Sequence, residues 1–187
     1  MLNYSEIMKQ LEEQMGFYAA YHQDRRNKAT HFVGVPAIVF SLMIALGWLR
    51  VDVGGFAVSA ALVVTAVLVV YYLALDVPLG LAMAAVFGLL LWAADPLSRS
   101  PLAVSLAWFL ILFVGGWALQ LWGHVFEGRK PALVDNLFQI FVAPIFLAAE
   151  VFFALGYKPQ LHQRVQQRAL ELRNSAAKTG TDHVIAA

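Results

Sequence analysis

Four side chains carry the chemistry most directly: His22, His31, His124 and Glu127. Imidazoles with a carboxylate suit zinc, or a non-haem iron centre that keeps positions open for substrate. His124 and Glu127 are three residues apart, so on a helix they share nearly one face. His22 and His31 are nine apart, about two and a half helical turns, which sets them on opposite faces of any continuous helix. They can share a ligand only if the helix breaks between them. The polar run Gln23-Asp24-Arg25-Arg26-Asn27-Lys28 offers that break, with Asn27 as the N-cap expected for the next helix. Each residue also has a plainer reading. A histidine near a membrane interface serves as a polar anchor, and Glu127 pairs with Arg129, Lys130 or an arginine of the first loop. His162 and His183 fall in a hydrophilic tail and are set aside.

The elements that must position these groups read as membrane helices. Of 187 residues, 60% are hydrophobic and 13% charged. A soluble domain has about 45–50% and about 25%. The apolar residues come in long runs between short polar pieces. The net charge of +1 and the lack of a basic stripe argue against nucleic acid as a partner. The absence of cysteine excludes disulfides, thiolate metal sites and a cysteine nucleophile. Met1 to Asn27 is polar and mixed in charge, unlike a signal peptide.

Residues 4–22 are expected to form an amphipathic helix, because Tyr4, Met8, Leu11, Met15, Tyr18 and His22 make one stripe opposite Glu6, Lys9, Glu12 and Glu13. Asn3 and Glu6 suggest a capping box. Spanning segments are expected at about 28–49 (with Pro36 in its first turns), 56–75, 78–94 and 102–122. Asp76-Val77-Pro78 reads as a tight turn and Asp95 to Pro101 as a loop. Residues 134–156 are apolar but carry Pro144 and Glu150, and a re-entrant segment bent near Pro144 is favoured over a fifth crossing. From Lys158 a charged tail is expected to be helical to about Asn174. The expected fold is all-α: a polytopic membrane bundle of four spanning helices plus a re-entrant or fifth apolar segment and an N-terminal amphipathic helix. Residues 1–158 form the membrane-embedded catalytic domain, and 159–187 a charged helix with a flexible tail.

The positive-inside rule places the N-terminal side in the cytoplasm, with Lys9, Arg25, Arg26, Lys28, Arg129 and Lys130 inside against Arg50 and Arg99 outside. His22, His31, Asp76, His124, Glu127 and Asp135 then converge on the cytoplasmic layer. Ionisable groups at that depth are a functional expectation.

The pieces Tyr21-His22, Asn27, His31, Gly34 and Val35-Pro36, followed by Gln120-Leu-Trp-Gly123-His124-Val-Phe-Glu127-Gly-Arg-Lys-Pro131-Ala132-Leu-Val-Asp135-Asn136, carry a resemblance. Over about residues 14–158 the chain resembles the 2-hydroxy fatty acid dioxygenases of phytosphingosine degradation, whose yeast member sits in the endoplasmic reticulum. The resemblance implies an iron(II)-dependent dioxygenase that shortens a 2-hydroxy fatty acid by one carbon, an α-oxidation. It implies Fe(2+) on His22, His31 and His124; Glu127 and Asn27, within the same motifs, are expected to be catalytic side chains. The yeast protein has a further histidine just after the first; Gln23 stands there in this chain. A 2-hydroxy acid can chelate iron through its carboxylate and hydroxyl. Arg25, Arg26, Arg129 and Lys130 are candidates for steering that carboxylate, or are simply headgroup charges. The implied partners are a 2-hydroxy fatty acid, dioxygen and membrane lipid. The implied location is a bacterial inner membrane or the endoplasmic reticulum, and the oligomeric state is left open. Three other readings remain at this point: a zinc-dependent lipid hydrolase on the same residues, a histidine-ligated haem protein, and a non-enzymatic transporter or scaffold.

Overall fold

The computed structural model describes residues 4–128 and 138–178. Among them are seven helices and one β-hairpin: α1 (Tyr4–Ala20), α2 (Arg25–Gly47), β1 (Arg50–Val53), β2 (Phe56–Ser59), α3 (Ala60–Leu75), α4 (Val77–Ser98), α5 (Leu102–Glu127), α6 (Gln139–Ala154) and α7 (Pro159–Lys178). They divide into two compact units. One takes the chain up to Phe32 and from Gln120 onward; the other is Val33–Leu119.

In the first unit the expected apolar stripe of α1 is the core. Leu11, Met15, Tyr18 and His22 are all buried, covered by α6 and α7. The amphipathic helix therefore packs on protein. Its charged face is engaged as well: Glu12 meets Arg164 at 2.6 Å and Glu13 meets Arg168 at 2.9 Å. Further along, Arg173 reaches the Ala20 carbonyl at 3.3 Å, so α1 and α7 run in the same direction. Such half-exposed ion pairs contribute roughly 0–1 kcal/mol each, so they set register more than stability. α7 buries Leu161, Val165 and Ala169 at i, i+4 spacing. α6 continues unbroken through Pro144, so the expected bend does not interrupt it. Its segment Val142–Leu147 is buried. Asn3 of the expected capping box, and the tail beyond Lys178, lie outside the described residues.

In the second unit Asp76 ends α3 and begins α4. Its Oδ1 accepts the Leu79 N–H at 3.0 Å, and Pro78 stands in the first turn, as the Asp-Val-Pro turn predicts. Two expectations need correcting here. Residues 56–59 are strand, not helix: Arg50–Val53 pairs antiparallel with Phe56–Ser59 across Gly54 and Gly55, whose φ values of 61° and 86° suit a two-residue hairpin turn. The fold is thus helical with one small hairpin. The second correction is that Asp95–Ser98 belongs to α4, so the loop before α5 shrinks to Arg99–Pro101. Arg99 and Arg50 both bind Asp95, at 2.7 and 2.8 Å, which ties that end of the helix down.

Three helices, α2, α4 and α5, are long and apolar enough to cross a membrane. The sequence reading counted four. α3 has 16 residues, about 24 Å at 1.5 Å per residue, against a hydrocarbon core of about 30 Å. α4 and α5 leave Leu81, Leu89, Trp92, Ile111, Val114 and Leu121 exposed, an outward apolar surface of the kind a membrane span presents.

Candidate metal centre

The bend between α1 and α2 creates the site. α1 ends at Ala20, and Asp24 opens α2 by accepting the Arg26 backbone N–H at 2.7 Å. Asp24, not Asn27, is therefore the N-cap. It precedes Asn27 in the chain, and its short carboxylate suits the positive end of a helix. The hydrogen bonds and charge of Arg26 hold the Asp24 carboxyl down to about 2. Asn27 falls inside the first turn and is fully buried.

The bend lets two histidines nine residues apart face each other. His22 stacks on Tyr18, ring centroids 3.9 Å apart and planes 7° from parallel. Its Nδ1 lies 2.7 Å from the Tyr18 carbonyl. His31, one turn into α2, places Nδ1 2.9 Å from the Asn27 carbonyl. The two Nε2 atoms are 3.1 Å apart. His124, in the last turn of α5, brings its ring to 5.0 Å from His22 and 5.2 Å from His31. One ring nitrogen from each histidine lies within 4.8 Å of the others, and all three residues are buried.

Those contacts fix the proton positions. A carbonyl only accepts, so each Nδ1 beside one carries the hydrogen, and each neutral imidazole then presents a bare lone pair at Nε2. Two lone pairs facing at 3.1 Å repel unless a cation lies between them. A proton is a poor choice, because burial, with His31 close by, pushes the His22 imidazole well below its ordinary value of 6.5 and keeps it neutral. A metal ion fits: 3.1 Å is within the span of two neighbouring nitrogens each about 2.0–2.1 Å from one ion. Anchoring of the far nitrogen on a backbone carbonyl is the usual support of a metal-bound histidine. Haem fits poorly, since axial ligands must approach from opposite sides of a macrocycle and these nitrogens leave no room for one.

Glu127 stands outside this cluster. Its carboxylate is only 3% exposed. It accepts the backbone N–H of Gln23 at 3.0 Å and of Asp24 at 2.7 Å, and Asn27 Nδ2 at 3.2 Å. Arg173 of α7 approaches the other oxygen at 3.4 Å. Asn27 also donates to the Tyr21 carbonyl at 3.3 Å. Glu127 and Asn27 thus bind the bend to the end of α5, and their observed contacts are with protein groups. Arg25 is exposed, and Arg26 is engaged by Asp24 and lies over the Phe126 ring at 4.6 Å. Asp76 caps α4 in the other unit. Arg129, Lys130, Asp135 and His183 lie outside the described residues, and His162 stacks on Phe153.

Residues 8–155 match the model of a family described as 2-hydroxy-palmitic acid dioxygenase Mpo1-like. The 2-hydroxy-palmitic acid dioxygenase MPO1 of Saccharomyces cerevisiae is 38% identical over 158 residues, which are 83% of this chain and 87% of the yeast protein. The chain belongs to the Mpo1-like family. No solved structure matches it.

The Mpo1-like match contains all three histidines, Asn27 and Glu127, whereas Arg173 comes from a helix beyond it. Sequence reasoning missed that arginine because nothing local in α7 points to α5. It also missed Lys28, which binds Glu150 at 2.8 Å with both side chains largely buried. A signal existed: Lys28 precedes His31 by three residues, and Glu150 is a lone charge in an apolar run. Gln120, one turn before His124, is buried with Nε2 lacking a hydrogen-bond partner, and so are Asn27 Oδ1, Gln139 Oε1 and Glu150 Oε1.

Gly123 is what allows α5 to approach this bend. A Cβ there would fall onto Thr30 Oγ1 and come within 2.5 Å of Asn27 Oδ1. Gly123→Ala is expected to push the first turn of α2 away, cost about 1–3 kcal/mol of stability, and lower metal retention about tenfold or more. Metal content after dialysis, measured beside the thermal midpoint, checks this.

Proposed function

We propose that this chain is a membrane-embedded dioxygenase that shortens a 2-hydroxy fatty acid by one carbon, using iron(II) on His22, His31 and His124. The observation that carries the proposal is the pair of facing Nε2 lone pairs with both Nδ1 atoms anchored on carbonyls. The family supports the substrate class. Bound iron would supply a redox-active centre with open positions for a chelated 2-hydroxy acid and dioxygen, the electrons coming from the acid itself.

The chain's own groups do the rest. Tyr18 and Phe146 flank His22 and keep water from the imidazoles, with Phe146 6.5 Å from the His22 ring. Glu127 and Asn27 hold the bend, so the rings stay aimed at one point. Loss of the carboxyl carbon as carbon dioxide and oxidation of the carbinol carbon to a new carboxylic acid release four electrons. One dioxygen accepts four, and water closes the balance. No 2-oxoglutarate, flavin or nicotinamide is required, in keeping with the lack of a motif for any of them.

A membrane position suits a substrate with a long acyl chain. The bend, with Arg25, Arg26 and Lys28, is read as lying at the cytoplasmic face of a bacterial inner membrane or the endoplasmic reticulum. α7 beside α1 supports a tail that returns to that same side.

The test is elemental analysis of protein purified in detergent, followed by oxygen-dependent turnover of 2-hydroxypalmitate. Near-stoichiometric iron with a product one carbon shorter is expected. Zinc in its place, with lipid hydrolysis, would replace this reading; absence of any metal after anaerobic iron loading would end it.

A further inference from the structure

The substrate of the proposed reaction is an anion, and a protein cation beside the histidines would take the carboxylate oxygen that chelation leaves free. We propose that Lys28 is that cation and that Glu150 is the carboxylate it releases when substrate binds; this rests on the function proposed above. Lys28 Nζ lies 2.8 Å from Glu150 Oε2, and the two side chains are 21% and 16% exposed. The second oxygen, Glu150 Oε1, is buried with no hydrogen-bond partner. The pair is therefore half satisfied, a costly arrangement for a purely structural ion pair.

Its position is what a carboxylate anchor needs. Lys28 stands one turn before His31 on α2, and residues three apart share a helix face. Its Nζ lies 5.9 Å from the Phe146 ring, which also flanks the rings of Tyr18 and His22. The other described cations nearby are engaged or turned outward: Arg26 by Asp24, Arg173 by Glu127, and Arg25 exposed. An ammonium on a flexible stem can turn from Glu150 to an incoming carboxylate without moving the helix.

The experiment compares wild type with Lys28→Met, Lys28→Arg and Glu150→Gln, each loaded with iron and its metal content measured. Lys28→Met should raise KM for 2-hydroxypalmitate about tenfold or more, since a charge-assisted hydrogen bond is lost, with kcat changed much less and metal content unchanged. Lys28→Arg should restore most of the affinity. Glu150→Gln should lower KM, because it keeps a partner for Lys28 but removes the competing anion. A purely structural pair predicts no such decrease.

Hexadecane-1,2-diol, which lacks the carboxylate, is the control ligand. Its binding should be equal in wild type and Lys28→Met. An acid-over-diol preference as large in a metal-replete Lys28→Met protein as in wild type would overturn the assignment and leave the proposed function standing. Absence of turnover in wild type would overturn the proposed function. The acid-to-diol binding ratio, measured by calorimetry on the same proteins, would then still decide whether Lys28 binds the carboxylate. If Lys28→Met does not fold, an unchanged or raised KM in Glu150→Gln overturns the exchange.

Discussion

His31→Ala is expected to yield a folded protein that retains little or no iron and turns over 2-hydroxypalmitate at least a hundredfold more slowly. Changes that only touch the support of a metal ligand lower affinity or activity about 10–100-fold, so removal of a ligand should exceed that. The substitution also takes away one of two facing lone pairs, which relieves the repulsion in the metal-free state. The metal-free variant should therefore melt no lower than expected for a partly filled cavity, about 2–4 kcal/mol, while the gain in stability on adding iron disappears. Iron content, turnover and the melting shift with iron are the three readouts. A variant with full iron and full rate would show that His31 is only a packing residue. His22→Ala and His124→Ala should behave alike if the three act as one set.

Glu127→Ala is expected to have the largest effect on stability. The carboxylate is nearly sealed from solvent and is shared by two backbone N–H groups, the Asn27 amide and Arg173. Without it, the Gln23 and Asp24 N–H groups lose their acceptor, Asn27 and Arg173 keep only the carbonyls of Tyr21 and Ala20, and Arg173 keeps a charge that is only 30% exposed. Breaking a buried charge pair by removing one partner costs about 3–5 kcal/mol. For a chain of this length that corresponds to roughly 10 °C in the melting temperature. The bend should loosen, and iron affinity should fall with it although no ligand is removed. Glu127→Gln keeps an acceptor for the bend and should fall between. A Glu127→Ala protein that binds iron normally, melts normally and is inactive would instead make Glu127 a catalytic group.

The sequence displayed the three histidines more clearly than their supports. The helix break was visible because Gln23 to Lys28 is uninterrupted polar sequence between two apolar patterns, and the break is what makes His22 and His31 compatible. The stripe of α1 was visible as spacing, but not what covers it, since α6 and α7 lie more than a hundred residues away in the chain. Glu127 was marked by its spacing to His124, but its partners are backbone groups of residues 23 and 24, which no side-chain pattern advertises. The cap was misplaced because Asp24 and Asn27 are both good capping residues and only the folded bend selects between them. The hairpin was passed over although Val-Asp-Val-Gly-Gly-Phe carries the glycine pair of a tight turn; the apolar run that follows masked it.

The unit that holds the histidines is built from two stretches of chain, up to Phe32 and from Gln120 on, and that has a consequence for biosynthesis. The stripe Leu11, Met15 and Tyr18 leaves the ribosome more than a hundred residues before the helices that bury it. At about 5–20 residues per second, the gap is on the order of ten seconds. During that interval α6 and α7 are not there for α1 to lie against. The histidine cluster is therefore assembled late: His22 and His31 are made well before the end of α5 brings His124. A chain stopped before α7 would hold every ligand and still lack the helix that closes over α1.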